Sequence, residues 1–499
     1  MTGWICLSRQ GLRRSELKGL LQQIGTFGDG SAEDDDAVLS YFLKTDAVDK
    51  IERGDCYVVI GRIGSGKTAL VKYFSDARND YVSESPSLRD YPWTLHSKRK
   101  NLGASEIESY VSSWRYLIAV KANSIILEAK GTKLFTDNQV AARDFLSENY
   151  GGLKPDLREI LAPKRLKVTK KTFAPQIMGN ALGSIDIEDK EGGLSSEIDI
   201  LTDALLINAE TISQQTGVSH IDMHFDELDQ GLASLDDRHR QMVTGLILAT
   251  RSIRNDKKLN NIVRPVCYIR TDIWDELSFS DKNKISQSSA VPLEWDSDTL
   301  LEMINQRIRV KLGLKYAWDD LDDEKLMRGS QTKWSHIISR TFLRPRDVIS
   351  FLNYATDQAI KAYPDSSFFD NDDIQSARAS YSRYLKQELD DEIGPHWEKW
   401  IEGLQACSEL VTITFSRDKF IEVYNRRKSA KNELDADEAL ATLYNFSVIG
   451  YRRGIGSGGS GWVFQYTDPD AGWDNGATKF KVHLGLKEFA KLREERGGA

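Results

Sequence analysis

The sequence lacks the features that mark secreted, membrane-spanning and disulfide-rich proteins. Its 499 residues include only four cysteines, which lie too far apart along the chain for a zinc site or a disulfide framework. No apolar run approaches the ~20 residues that a membrane-spanning helix needs. The first residues contain no apolar segment of the kind that a secretion signal requires. These absences predict a protein of the reducing cytoplasm that does not associate with membranes.

What the sequence does contain is a glycine-rich phosphate-binding pattern. Residues 61–68 read Gly-Arg-Ile-Gly-Ser-Gly-Lys-Thr, which matches the P-loop pattern of Gly, four residues and Gly-Lys-Ser/Thr. A short β-rich run at 56–60 precedes the pattern and a helical run follows it, so the strand–loop–helix context that the motif requires is present. The predicted ATP-binding residues are Gly61, Arg62, Ile63, Gly64, Ser65, Gly66, Lys67, Thr68 and Ala69.

The chemistry of phosphate binding explains these residue types. Glycines let successive backbone N–H groups turn towards a phosphate, and the start of the following helix adds the positive end of its dipole. We expect Lys67 to reach the β- and γ-phosphates and so to act in catalysis. We expect the Thr68 hydroxyl to ligate Mg²⁺.

A second β-rich run, 220–225, ends in two acidic residues that fit the same chemistry. Asp226 is predicted to hold Mg²⁺ opposite Thr68, and Glu227 is predicted to orient and deprotonate the attacking water. Three polar residues of the run alternate and therefore share one face of the strand: His220, Asp222 and His224. This arrangement favours an ordinary polar sheet face, with a metal cluster as the alternative.

Two arginines further along are candidates for sensing the γ-phosphate. The β-rich run 262–269 ends in Arg270 and Thr271, and a polar residue at that strand end suits a sensor. Capping of the following turn is the alternative. Residues 344–347 read Arg-Pro-Arg-Asp at the start of a helix, which suits a lid that reaches back to the nucleotide. Arg346 is the predicted ligand there, with a surface ion pair to its neighbour as the alternative.

The stretch 83–175 is an insertion whose charge differs from that of the whole chain. It holds 16 Lys and Arg against 10 Asp and Glu, an excess of six, whereas the chain has a formal net charge of −8. Its basic residues concentrate at 98–100 and 164–171, which predicts either a solvated face or a contact with nucleic acid or an acidic protein. If nucleic acid binds, we expect binding to depend on these residues more than on Arg452 and Arg453.

The order of these patterns predicts an α/β fold in three parts. A P-loop ATPase core, with a parallel sheet between helices on both faces, is expected over residues 1–296. A helical lid is expected over 297–395 and a C-terminal winged-helix-like domain over 396–499.

The winged-helix prediction rests on helices, a hairpin and a glycine-rich tip in the last hundred residues. We predict helices over 420–427 and 435–446, a hairpin around 454–461, and a final helix over 486–496. The second helix opens with three acidic residues, which would repel phosphate: Asp435, Asp437 and Glu438. A protein contact is therefore favoured over DNA reading for this domain.

Together the motifs resemble the AAA+ and STAND group of P-loop ATPases, and more closely a family of bacterial P-loop ATPases associated with antiviral defence. The matching segments are residues 27–28, 32–33, 61–70, 225–229, 269–273, 344–347 and 483–486. The resemblance implies ATP and Mg²⁺ binding, ATP hydrolysis, and an oligomerising switch that works with a partner effector protein. The alternative is a DNA-binding or DNA-loading ATPase of the origin-recognition type. The arginine finger of AAA+ rings has three candidates here: Arg251, Arg254 and Arg309.

Overall fold

The structure of the protein, a computed structural model, consists of two compact units. It describes residues 19–76, 80–88, 106–129, 136–161, 165–167, 184–186, 196–228, 236–455 and 459–494. The first unit, the sheet unit, comprises Lys44–Arg62 and Lys67–Leu293. The second, the helical unit, comprises Met1–Leu43, Ile63–Gly66 and Glu294–Ala499. Within the described ranges no helix has both the length and the apolar content needed to cross a membrane.

The sheet unit is built on five parallel strands. Numbered along the whole chain, its strands are β1 Val58–Gly61, β2 Val82–Glu84, β5 Ile221–Phe225, β6 Val263–Arg270 and β7 Ala290–Pro292, with a separate pair β3 Arg165–Lys167 and β4 Ser184–Asp186. Their order across the main sheet is β2-β5-β6-β1-β7. The strand that precedes the glycine-rich loop, β1, is therefore separated from β5 by one strand, β6. Parallel pairing brings the carboxyl ends of β1, β5 and β6 to one edge of the sheet.

Helices pack against this sheet and bury its apolar residues. They are α2 Asp46–Arg53, α3 Lys67–Ser75, α4 Glu106–Ala129, α5 Asp137–Tyr150, α6 Leu157–Leu161, α7 Ser196–Thr216, α8 Asp237–Asn255, α9 Thr271–Glu276 and α10 Lys282–Ser288, with a 3₁₀ turn at Lys257–Leu259. The long helix α4 belongs to this core, because Trp114 is fully buried and its indole N–H donates to the carbonyl of Met242, 3.0 Å away. The predicted α/β fold class is confirmed.

The central part of the insertion is thus a core helix rather than a surface appendage. Its two basic clusters, however, lie mostly outside the described residues, which include only 165–167 of them. The predicted contact of these clusters with nucleic acid or an acidic protein therefore stays a prediction.

The helical unit contains the remaining helices. They are α1 Leu20–Ile24, α11 Ser297–Leu312, α12 Lys333–Ile338, α13 Pro345–Ala362, α14 Asn371–Ile393, α15 Trp400–Glu409, α16 Arg417–Arg427 and α17 Ala436–Asn445, with 3₁₀ turns at Val38–Tyr41, Trp318–Asp320, Pro469–Ala471 and Leu484–Leu486. Pro345 opens α13 because its missing N–H is unneeded at the first helical position. The division of the chain into three domains at residues 296 and 395 stays a prediction.

A small antiparallel sheet accompanies α15–α17 and completes the winged-helix arrangement. Its strands are β8 Thr414–Ser416, β9 Ile449–Ile455, β10 Gly459–Val463 and β11 Lys479–Val482, in the order β10-β9-β11-β8. The two predicted helices and the predicted hairpin are present as α16, α17 and β9–β10. The sequence patterns did not predict β11, which lies between β9 and β8.

The predicted final helix over 486–496 is wrong. The chain forms only the 3₁₀ turn Leu484–Leu486, and Arg493 then pairs through its backbone with residues 411–413. Gly485 lies so close to Arg340 that an added Cβ would sit 2.4 Å from the Arg340 carbonyl oxygen. Tertiary packing and backbone pairing with another segment have therefore overridden the helical pattern of this stretch.

Candidate functional site

The glycine-rich loop leaves the sheet unit at the carboxyl end of β1 and leads into α3. Lys67, the first residue of α3, donates from Nζ to the carbonyl oxygens of Gly61 at 2.9 Å and Arg62 at 3.0 Å. The ammonium group therefore lies over the start of the loop. An ammonium group and a helix N-terminus at the same place form a favourable environment for a phosphate.

Two glycines of the loop adopt backbone conformations that other residues rarely take. Gly64 has φ +75° and Gly66 has φ +102°. A Cβ built on Gly66 would meet no heavy atom within 4 Å, so its backbone is open to close approach. Ser65 is buried, and among the described residues its hydroxyl has no hydrogen-bond partner. A buried hydroxyl without a hydrogen-bond partner is expected in a loop that binds a polar ligand, because the ligand can supply that partner.

The predicted magnesium ligands lie together. The Thr68 hydroxyl donates to Oδ2 of Asp226 at 2.9 Å, which joins the start of α3 to the end of β5. Asp226 is buried directly after the strand, so its carboxylate is held in place. A hydroxyl and a carboxylate are oxygen ligands of the kind that Mg²⁺ prefers, and these two residues fit that ion.

Glu227 follows Asp226 in an unusual backbone conformation. Its φ is +59°, in the left-handed region that non-glycine residues rarely occupy. Such strain is commonly found at functional sites, where the fold imposes one orientation on a side chain. The conformation is consistent with the predicted catalytic role of Glu227, which stays a prediction.

Arg270 ends β6, and its backbone lies in register with Gly61 of β1. Its guanidinium donates from Nε to Oδ1 of Asp272 at 3.0 Å and from Nη2 to Oδ2 at 2.6 Å. These contacts form a local ion pair. The Arg270 side chain makes no hydrogen bond that caps the start of α9, so the turn-capping alternative is not confirmed. Arg270 lies at the same sheet edge as the loop, which suits a γ-phosphate sensor. The sensor roles of Arg270 and Thr271 stay predictions.

The alternating polar residues at 220–224 differ in burial, and two of them, Asp222 and His224, are buried. His224 is fully buried, stacks on Phe74 and makes a 2.9 Å hydrogen bond between Nδ1 and the Tyr268 hydroxyl. Burial lowers the pKa of His224 to about 4, so this imidazole is neutral at pH 7. His220 lies 3.4 Å from the carboxylate of Asp222. Over the ranges that the structure describes, no three His, Cys, Asp or Glu side chains are arranged to hold a metal ion.

In the helical unit, Arg344 is a buried anchor rather than a ligand. It is 1% exposed, and it donates to both carboxylate oxygens of Asp347 at 2.9 and 3.0 Å. It also pairs with Glu392 and donates to the carbonyl of Ile63 in the glycine-rich loop at 3.1 Å. Burial opposes its charge, but Asp347 and Glu392 raise the pKa of Arg344 above its usual value.

Arg346 contacts the glycine-rich loop directly. Its backbone N–H faces the carbonyl of Gly64 at 3.4 Å, and a Cβ added to Gly64 would lie 2.9 Å from the Cβ of Arg346. Its guanidinium donates from Nε to the carbonyl of Gly30 at 3.1 Å and pairs with Glu388 at 3.0 Å. The alternative of a surface pair with Asp347 is wrong, because Asp347 is fully buried and pairs with Arg344.

A buried charged cluster that sequence reasoning missed holds the segment before the loop. Arg307 on α11 donates to the carbonyl of Phe27 at 2.6 Å, pairs with Asp35 at 3.3 Å and lies 4.1 Å from the centre of the Tyr41 ring. Gly28 is required there, since an added Cβ would lie 2.1 Å from Nη1 of Arg307. No sequence signal identified Arg307, because an arginine in a helical pattern is usually solvated.

The three arginine-finger candidates all have partners within their own unit. Arg254 is partly buried and donates to the carbonyl of Gly54, near the start of β1. Arg251 pairs with Asp281, and Arg309 pairs with Glu302. The role of each as a finger stays a prediction.

Similarity to known proteins was found at two levels. Residues 298–390, which comprise most of α11–α14, match the profile of a family described as a FunZ-associated C-terminal helical domain. No curated protein matches the chain. Among solved structures, the crystal structure of Cdc6p from Pyrobaculum aerophilum is similar at 10% sequence identity and a TM-score of 0.28, covering 92% of this chain and 97% of that chain.

Proposed function

We propose that this protein binds ATP with Mg²⁺, hydrolyses it, and uses the cycle as a conformational switch. The observation that carries the proposal is the 2.9 Å hydrogen bond between Thr68 and Asp226. It joins the last residue of the P-loop to an acidic residue at the end of a strand two positions away in the sheet. A P-loop hydroxyl beside a carboxylate at a strand end is the pair of ligands that holds Mg²⁺ in P-loop NTPases, and this supports the proposal.

Each residue has a distinct role in this proposal. Lys67 and the loop backbone bind the phosphates and neutralise their charge. Thr68 and Asp226 would hold Mg²⁺, and the bound ion would supply positive charge beside the phosphate oxygens. Glu227 accepts a proton from the attacking water. Arg270 and Arg346 are the proposed sensors of the γ-phosphate.

Oligomerisation, a partner effector protein and a role in bacterial antiviral defence belong to the same proposal. They are supported by the resemblance of the motifs to defence-associated ATPases.

Replacing Lys67 with Ala tests the proposal. The substitution removes charge-assisted hydrogen bonds worth about 1.5–3 kcal/mol, so the Kd for ATP should rise by about 10- to 100-fold. Isothermal titration of ATP into the full chain with Mg²⁺ measures this. A matched control is Lys284→Ala, which removes an exposed lysine of the same unit. Equal Kd values for wild type and Lys67→Ala would overturn the assignment.

A second candidate, an ATPase that binds DNA as in the origin-recognition type, is supported by the small sheet. Strands β8–β11 contain four basic residues and no acidic one. Arg452 lies opposite Trp462, and Nζ of Lys481 is 5.7 Å from the centre of the Trp462 ring, so cations and an aromatic ring share one face. Such a face suits phosphate contacts better than α17, whose first turn is acidic.

Replacing Arg452 and Lys479 with Ala tests this second candidate. Each phosphate-binding side chain that is removed should flatten the slope of log affinity against log salt concentration by ~0.9 for duplex DNA. A second variant replaces five basic residues of the insertion with Ala: Lys164, Arg165, Lys167, Lys170 and Lys171. This variant should flatten the slope more, because it removes more positive charge. The control, Lys284→Ala with Lys361→Ala, removes the same charge from exposed positions elsewhere. Filter binding at several salt concentrations decides, and no binding by wild type at low salt would exclude this candidate.

A further inference from the structure

Helix α14 presents two glutamates, one turn apart, to the two arginines of the Arg-Pro-Arg-Asp segment. Glu388 pairs with Arg346 at 3.0 Å, and Glu392 pairs with Arg344. The spacing of four residues places both carboxylates on one face of α14. Each pair joins one arginine of the segment to one glutamate of α14, but the two pairs differ in how far they are exposed to solvent.

The pair between Arg344 and Glu392 is fixed. The Arg344 side chain is 2% exposed, and Asp347 holds the same guanidinium through two further hydrogen bonds. Removing this arginine from its partners would leave two buried carboxylates without a counter-charge, which is strongly unfavourable. Arg344 is therefore expected to keep the same partners whether or not nucleotide is bound.

The pair between Arg346 and Glu388 is releasable. The Arg346 side chain is 27% exposed, and among the described residues its guanidinium pairs with one carboxylate, that of Glu388, and donates to one carbonyl, that of Gly30. A guanidinium with one carboxylate partner can exchange that partner for a phosphate oxygen, which also accepts charge-assisted hydrogen bonds. Its backbone already lies against Gly64 of the phosphate-binding loop.

We propose that Glu388 is a latch that competes with the γ-phosphate of ATP for Arg346. The inference rests on the proposed ATP-binding function and adds to it a positioning residue that sets nucleotide affinity. In the latched state Arg346 joins Glu388 to the Gly30 carbonyl. In the ATP state Arg346 turns to the γ-phosphate and Glu388 is left half-buried without its partner.

The ATP state is unfavourable for Glu388, because its carboxylate loses the positive charge of Arg346. Burial raises the pKa of Glu388 while Arg346 and Arg344 oppose the shift, so this carboxylate depends on arginine to remain charged. A glutamine at this position has no charge to leave uncompensated. It should therefore release Arg346 at lower cost and favour the ATP state.

The experiment is a comparison of ATP and ADP affinity in a double-mutant cycle. Glu388→Gln should tighten ATP binding about three- to tenfold and leave ADP binding unchanged, because ADP lacks the competing phosphate. Arg346→Ala should weaken ATP binding, and the double variant should match Arg346→Ala, since the latch acts only through that arginine. Asp391→Asn removes an exposed charge from the same helix and serves as the control.

Each result has one consequence. If wild type and Lys67→Ala bind ATP equally, the ATP-binding function fails and the latch fails with it. If wild type binds ATP and Glu388→Gln is no tighter, or tightens ATP and ADP alike, only the latch is overturned. Should Glu388→Gln unfold below the assay temperature, Glu388→Met replaces it, since methionine has a similar length and also removes the charge, and it should give the same ATP-specific gain.

Discussion

Replacing Glu227 with Gln should lower the turnover of ATP by ~10²-fold or more while ATP binding stays near the wild-type value. Glutamine keeps the size and the hydrogen-bonding oxygen of the side chain but cannot accept the proton of the attacking water, and general-base catalysis contributes about 10²–10⁴-fold. The φ of +59° at this position is as accessible to glutamine as to glutamate, so the fold should tolerate the change. Single-turnover hydrolysis with excess enzyme measures the chemical step apart from product release.

The matched control is Glu294→Gln, an exposed glutamate in the segment that follows β7. It carries the same chemical change and should hydrolyse ATP at the wild-type rate. If the oligomerising switch is correct, Glu227→Gln should also accumulate the ATP-bound assembly, which mass photometry with and without ATP would detect. Wild-type turnover by the variant would remove Glu227 from the role of base.

Replacing Arg344 with Met should destabilise the helical unit by about 3–5 kcal/mol, because breaking a buried ion pair leaves its partners uncompensated. Arg344 is 1% exposed and its guanidinium is shared by Asp347 and Glu392, both buried. Methionine fills much of the volume of the arginine side chain. The loss of stability therefore measures the lost ion pairs rather than the creation of a cavity. Urea unfolding followed by tryptophan fluorescence measures the change.

Arg346→Met is the comparison. It breaks the pair between Arg346 and Glu388, which is more exposed to solvent than the pair between Arg344 and Glu392. Its cost should be about 1 kcal/mol, the scale of a solvent-screened pair. Adding Glu392→Gln to Arg344→Met should recover part of the stability, since one orphaned carboxylate is removed. Equal destabilisation by both methionine variants would show that Arg344 is not the anchor of this segment.

The sequence alone determined the elements of the candidate site, because their signals are local. A glycine pattern between a strand and a helix fixes where the phosphate-binding loop lies, since only glycine takes the backbone conformations of Gly64 and Gly66 without strain. An acidic pair after a buried strand predicted the meeting of Thr68 and Asp226, because carboxyl ends of parallel strands share one edge. Hydrophobic periodicity likewise located three strands of the main sheet, β1, β5 and β6, but it did not locate the short strands β2 and β7.

Only the tertiary structure decided which partner each charged side chain takes, because a charge has no periodicity that reveals its neighbours. It paired Arg270 with Asp272, Arg344 with Asp347 and Arg346 with Glu388. It also turned the chain after Val482 away from the predicted helix, where Gly485 packs on Arg340. Long-range contacts override local preference in such places, since burial and pairing outweigh the fraction of a kcal/mol per residue that helix propensity supplies.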